Sequence, residues 1–134
     1  MLEVKPIQTK KEQQEICELC EVEFAPDCFA YSATENEKLL GIAQFRIFGE
    51  YAVIYDLKNI AGVDDLGALI IMGKAALNFI DLCGVKQVVL NDACVVSEES
   101  NYLPQILKFD NSKDGVYKLN LEGYFNSPCQ SRLT

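Results

Sequence analysis

Apolar residues alternate through positions 39–48, with Leu39, Gly41, Ala43, Phe45 and Ile47 on one side of the repeat and Gln44 and Arg46 on the other. A period of two predicts a strand with one face turned to a core. Phe29 to Thr34 reads as a strand before it, closed by the polar turn Glu35-Asn36-Glu37-Lys38. Tyr51 to about Ile60 reads as a strand after it, across Gly49-Glu50. That loop has two residues with glycine first, as a type II′ turn requires. Loops this short join the strands into an antiparallel meander.

The helical period flanks this meander. Thr9-Lys10-Lys11-Glu12 fits a capping box, in which the Thr hydroxyl and the Glu carboxylate take free backbone N–H groups. It predicts a helix to about Val22, preceded by a short strand over Leu2 to Ile7. A second helix starts at Asp64 or Asp65 and stops at Cys83-Gly84, with Leu66, Leu69, Ile70, Gly73, Leu77 and Ile80 as its apolar face. The β-branched run Val85 to Leu90 follows at once, and a strand–helix–strand step of this length places its two strands parallel. Ser97 to Leu103 reads as a short helix halted near Pro104. Gln105 to Asp110 and Val116 to Leu121 then flank the hairpin loop Asn111-Ser112-Lys113-Asp114-Gly115. The order β-α-β-β-β-α-β-α-β-β describes an α+β domain over residues 1–134, a single mixed sheet with helices on both faces.

Composition narrows the chemistry. With 134 residues, 49% apolar and 24% charged, the chain is the size of one domain and too apolar for disorder. A net charge of −8 makes nucleic acid and anionic membrane surfaces poor partners. There is no histidine, which removes Ser-His-Asp and Cys-His catalysis and His-containing metal sites together. The long apolar stretch Leu66 to Cys83 is interrupted by Lys74, Asn78 and Asp81, so it reads as a buried helix rather than a membrane span. Met1 to Pro6 has no basic head followed by an apolar run, so a cytoplasmic protein with reduced cysteines is expected. Cys17-x-x-Cys20 with Cys28 raises the question of zinc, but helical spacing puts the pair beside Ile16 and Leu19 on an apolar face. Core thiols, with no metal, are the expectation.

From Ala52 to Leu90 the chain resembles the GNAT superfamily of acyl-CoA-dependent N-acyltransferases. Ala52-Val53-Ile54-Tyr55-Asp56-Leu57 looks like the family's fourth strand and Ala61 to Leu69 like the loop that follows. The helix to Gly84 and the strand to Leu90 then continue the match, and the element order extends it over nearly the whole chain. The resemblance implies a GNAT-like N-acetyltransferase domain that moves an acetyl group from acetyl-CoA to a small amine or peptide amine. It implies coenzyme contacts from backbone groups of Leu57, Lys58 and Asn59 and from Gly67 and Ala68, with the pantetheine arm between the fourth and fifth strands. It further implies Asp56 as the base and Tyr102, the nearest tyrosine to the family's position on the following helix, as the acid. Asp56 is expected on the strand face of Ala52 and Ile54. Cys94, on a loop near the site, has no basic neighbour to activate it.

The coenzyme loop departs from the family's Arg/Gln-x-x-Gly-x-Gly/Ala. Asp64-Asp65-Leu66-Gly67-Ala68-Leu69 keeps only Gly67 in register. A phosphate at a helix N-terminus is bound by exposed N–H groups and the positive end of the dipole. At ~4 Å and an effective dielectric of ~20, each carboxylate beside it costs on the order of 4 kcal/mol before solvent relaxes the charges. Leu69 is expected to place a side chain where the backbone should approach. The alternative is therefore a non-catalytic module that kept the fold for binding or oligomerisation. Tyr124-Phe125 and Pro128-Cys129 read as a tail packed on the sheet or on a second copy of the chain, as in a homodimer.

Overall fold

A computed structural model of the chain describes residues 1–94, 102–111 and 116–125. Its elements run β1 (Leu2–Pro6), α1 (Lys10–Cys20), β2 (Phe29–Glu35), β3 (Lys38–Phe48), β4 (Tyr51–Asn59), α2 (Leu66–Leu82), β5 (Gln87–Leu90), a 3-10 turn at Asp92–Cys94, α3 (Leu103–Ile106), β6 (Asp110–Asn111) and β7 (Tyr117–Asn120). One seven-stranded sheet has the order β1-β2-β3-β4-β5-β7-β6. β4 and β5 are parallel, as the crossover through α2 requires, and the other neighbouring pairs are antiparallel.

The meander forms where the alternation predicts it. Gly49 has φ +76° in the β3–β4 turn, the conformation for which glycine carries no penalty. The β2–β3 turn is different, because Asn36 (φ +52°) and Glu37 (φ +68°) are both left-handed. That geometry favours Asn-Gly. Glu37→Gly is expected to stabilise the chain by about 0.5–1 kcal/mol, part of the ~1–2 kcal/mol that a left-handed L-residue costs being returned as glycine's unfolded-state entropy. A higher urea midpoint at unchanged slope is the readout.

Two cores lie on opposite faces of the sheet. α2 covers one with Met72, Ala76, Leu77 and Ile80 against Phe45, Ile54, Leu57, Val88 and Leu90. α1 covers the other, smaller one, where Cys17 and Cys20 pack on Ile42. The three thiols of the suspected zinc motif are thus core groups, Cys28 being buried as well. Burial pushes Cys17 up to about 11 and Cys20 up to about 12. Thr9 caps α1 by accepting from the Glu12 N–H at 3.1 Å, while Glu12 accepts from the Gln8 N–H at 3.4 Å. Tyr124 packs on the larger core and donates to the Leu107 carbonyl at 3.0 Å, so this part of the tail folds back on its own chain. Pro128 and Cys129 lie outside the described residues.

Two expectations change in the C-terminal third. Pro104 does not halt a helix; it sits in the first turn of α3, where a missing N–H costs nothing. Gln105 and Ile106 belong to that helix, so the strand expected over Gln105 to Asp110 shrinks to Asp110–Asn111. The expected helix over Ser97 to Leu103 and the loop at 112–115 fall largely on residues outside those described.

Candidate active site

The site begins with one extra residue. Gln44 pairs with Asp56 and Phe45 with Ile54, so Tyr55 has no partner on β3 and forms a bulge. A bulge resets the alternation of faces. Ala52 and Ile54 point to the α2 core before it, and Leu57 does so after it. Asp56 and Lys58 therefore turn to the opposite face, beside α1. This corrects the expectation that Asp56 shares a face with Ala52 and Ile54. The parallel pairing of β4 with β5 ends at the same level: Ile54 pairs with Leu90, and the Asn91 N–H closes on the Ile54 carbonyl at 2.9 Å.

Beyond that point the two strands part. On the α1 side a cleft of about 680 Å³ is bounded by the 21–28 loop, Tyr55, Asp56, Lys58, Arg46 and Asn91. Glu21, Glu23, Asp27 and Asp56 place four carboxylates on its lining against the two cations Arg46 and Lys58. Arg46 is partly committed, 3.7 Å from Asp27 and over the Phe48 ring at 4.7 Å. Lys58 Nζ donates to the Cys20 carbonyl at 3.3 Å. Asp56 accepts from Gln44 Nε2 at 2.8 Å. Burial raises its carboxyl above the ordinary range; the Gln44 bond pulls it back, Glu23 adds to the rise and Lys58 opposes it.

The fork between β4 and β5 is floored by the 3-10 turn. The buried Cys94 thiol lies 3.8 Å from the Ile54 carbonyl, and the Leu57 N–H stabilises its sulfur. Burial raises this thiol far above its ordinary value, with the Asp56 charge adding to the rise, so it stays protonated and unreactive.

A second depression of about 160 Å³ lies where β4 runs into α2, lined by Leu57, Lys58, Asn59, the 60–64 loop and Leu69. Asn59 clamps this loop: Nδ2 donates to the Leu40 and Asp65 carbonyls at 3.2 Å each, and Oδ1 accepts from the Asp65 N–H at 3.0 Å. The Ala61 N–H is held by the Leu19 carbonyl at 3.2 Å and the Val63 N–H by Ile60 at 3.0 Å. Asp65 is the N-cap of α2, accepting from the Ala68 N–H at 3.0 Å. Ala68 is therefore already satisfied. Among the described residues, the N–H groups of Leu66 and Gly67 find no acceptor in the chain. Gly67 is exposed, and a Cβ there would meet only Asp65 Oδ1 at 3.3 Å. Packing within the chain thus does not require glycine at this position. Leu69 departs from its expected place: it is buried in the core under α2 and only closes the floor of the depression.

The structure thus brings Asp56, Leu57, Lys58 and Asn59 together along one strand end, with Gly67 at the neighbouring helix start. Tyr102 stands apart. It is 61% exposed before α3 and does not line the cleft. Sequence reading missed Tyr55, the tyrosine that does line it, and Gln44, which is fully buried. No local signal marked Gln44, since a polar residue in an alternating strand reads as water-facing.

No family model matches the sequence, and no curated protein matches it. Solved structures match the fold. The ribosomal-protein-S18-alanine N-acetyltransferase of Escherichia coli superimposes with a TM-score of 0.70 at 12% identity, over 90% of this chain and 94% of that one. The PaiA N-acetyltransferase of Thermoplasma acidophilum, solved with coenzyme A, gives 0.64 at 9% identity over 90% and 99%. A GNAT family acetyltransferase of Elizabethkingia anophelis with acetyl-CoA bound gives 0.66 at 13% identity over 90% and 98%. The chain has the GNAT fold, in one α+β sheet with helices on both faces. No described helix is long and apolar enough to cross a membrane.

Proposed function

We propose that the protein transfers an acyl group from a coenzyme A-type thioester to a cationic amine held in the Asp56 cleft, either a small amine or a peptide amine. The bulge at Tyr55 carries this reading, because it turns a half-buried carboxylate into a cleft whose charged groups are mostly acidic. The fit to the coenzyme rests on the bare Gly67, the free Leu66 and Gly67 N–H groups, and the end of β4 at Leu57, Lys58 and Asn59. The thioester supplies an acyl carbon open to attack, the C–S bond breaking as a C–N bond forms. Asp56 takes the first proton from the ammonium, which frees the lone pair that attacks, and burial has moved its carboxyl toward the operating pH, as a general base requires. The second N–H proton, lost as the amide forms, balances the one the departing sulfur takes up. Glu21, Glu23 and Asp27 draw the cation in before it meets Asp56. For the proton that the departing sulfur needs, the cleft lining offers Tyr55. Buried free thiols at Cys17, Cys20 and Cys28 suit a reducing, cytoplasmic setting.

A specific observation favours the second reading, a binding module without catalysis. Asp65 already fills the electrostatic role of an anion at the start of α2, with Asp64 exposed beside it. Acetyl-CoA decides between them: at 100 times its Kd it should stabilise the fold by ~2.7 kcal/mol, read as a rise in Tm. Asp64→Asn with Asp65→Ser keeps an N-cap and removes both charges. It is expected to tighten coenzyme binding about tenfold, since each carboxylate at a helix start counts on the order of 0.3–1 kcal/mol. No Tm shift in the parent chain, together with no measurable affinity in the double variant, would leave only the binding module.

A further inference from the structure

The polar groups under the cleft form one chain of fixed orientation. Lys10 Nζ can only donate, and it does so to Gln13 Oε1 at 3.1 Å and to the Cys28 carbonyl at 2.8 Å. Gln13 must therefore present Nε2 to its other neighbours, and it donates to Gln44 Oε1 at 2.7 Å and to the Ala25 carbonyl at 3.0 Å. Gln44 Oε1 also accepts from the Ala25 N–H at 3.1 Å and from the Cys17 thiol at 3.4 Å. With its oxygen taken, Gln44 has only Nε2 for the remaining side, and it donates to the Glu23 carbonyl at 2.9 Å and to Asp56 Oδ2 at 2.8 Å. Every orientation in this relay follows from a donor whose sense is unambiguous, either the Lys10 ammonium or the Ala25 N–H.

We propose, resting on the reading of Asp56 as the base, that Gln44 is a positioning residue. It pins Oδ2 of Asp56, which leaves Oδ1 for the substrate, and it ties the carboxylate to the loop that forms the opposite wall of the cleft. The two bonds from Nε2 reach Asp56 on β4 and Glu23 on the loop, so base and wall keep a fixed separation. An amide suits this task better than an acid or an amine. It meets donors on one atom and acceptors on the other without adding a charge to a buried site.

The groups that face Asp56 electrostatically are Glu23 and Cys28 of the loop, Lys58 of its own strand, Cys17 of α1 and Cys94 of the 3-10 turn. Gln44 is the partner among them that does not titrate. Gln44→Met should lower kcat by about 10- to 100-fold with KM little changed, as misplacing a catalytic group does. It should also move the acid limb of the pH profile upward by about one unit, because the bond it removes favours the charged form. Gln44→Glu keeps the donors on Oε1 and sets a like charge against Asp56, so it should move the limb further the same way; it also serves if the methionine variant fails to fold. Gln13→Leu removes a neighbour of equal burial while the Ala25 N–H still orients Gln44, and should leave the limb in place. A parallel titration of the Asp56 carboxyl by 13C NMR in the unliganded chain reads the same midpoint without turnover. Unchanged midpoint and unchanged kcat in both Gln44 variants would overturn the proposal, as would an equal limb shift in Gln13→Leu. If the midpoint moves while the parent chain acylates no amine, Gln44 still holds Asp56 and it is the acyltransferase reading that falls.

Discussion

Asp56→Asn is expected to reduce acyl transfer by about 10²–10⁴-fold, the range that a positioned general base contributes. The substitution keeps size and shape, and the asparagine oxygen can still accept from Gln44 Nε2, so the fold should survive. Its effect on stability has a definite sign. Burial holds the Asp56 carboxyl above its ordinary value of 3.8, so the folded chain binds this proton more tightly than the unfolded chain does. The stability that comes from the protonated group is complete below the unfolded value and is lost as pH rises through the folded one. The asparagine variant has no such loss. Its stability should therefore be flatter than the parent's across that acidic window and at least equal to it at neutral pH. Urea unfolding at a series of pH values, set beside the rate of thiol release, tests both halves. A variant that keeps near-parental turnover would remove Asp56 from the chemistry.

Gly41→Ala is expected to cost about 3 kcal/mol or more and to abolish ligand binding with it. Gly41 pairs with Asn59 on β4 and Ala33 on β2. A Cβ there would collide with the Lys58 carbonyl oxygen and crowd the Asn59 Cα at 3.2 Å and the Met72 methyl at 3.1 Å. The methionine end can swing away, but the backbone cannot without parting β3 from β4. That parting would occur where the Ile60 N–H meets the Leu40 carbonyl at 2.8 Å and where Asn59 clamps the 60–64 loop. Gly73→Ala is the control. Its nearest obstacle is the Leu107 side chain at 2.8 Å, which can rotate, and α2 gains from alanine in its interior. A small change at Gly73 against a large one at Gly41, in urea midpoints and in acetyl-CoA affinity, is the expected pattern.

Local rules acted where the backbone had a single choice. The Thr9 cap, the glycine-first turn at Gly49 and the stop at Gly84 (φ +83°) follow from residues a few positions apart, and the parallel β4–β5 pair follows from the α2 crossover between them. The same rules failed where a longer-range contact overrode them. Pro104 reads as a helix stop, yet a first-turn position accommodates it. Leu69 reads as an obstacle in a ligand loop, yet the helix phase turns it into the core.

The candidate site divides along the same line. Asp56, Leu57, Lys58, Asn59 and Gly67 were legible in the sequence as a strand end and a helix start, because local patterning and a family resemblance reach that far. The face on which Asp56 stands was not legible: Tyr55 is a bulge only through its register against β3, which no stretch of β4 encodes. Nor was the burial of Gln44, since a polar residue in an alternating strand implies water, and only α1 and the 21–28 loop replace that water with Gln13, Ala25 and Glu23. The amino-acid order by itself determined the elements as far as β5, their sequence and the net acidity of the chain, set by near neighbours and summed charge. Tertiary structure alone decided which carboxylate enters the cleft and what holds it there, because pairing register and cross-face hydrogen bonds join residues that are distant along the chain.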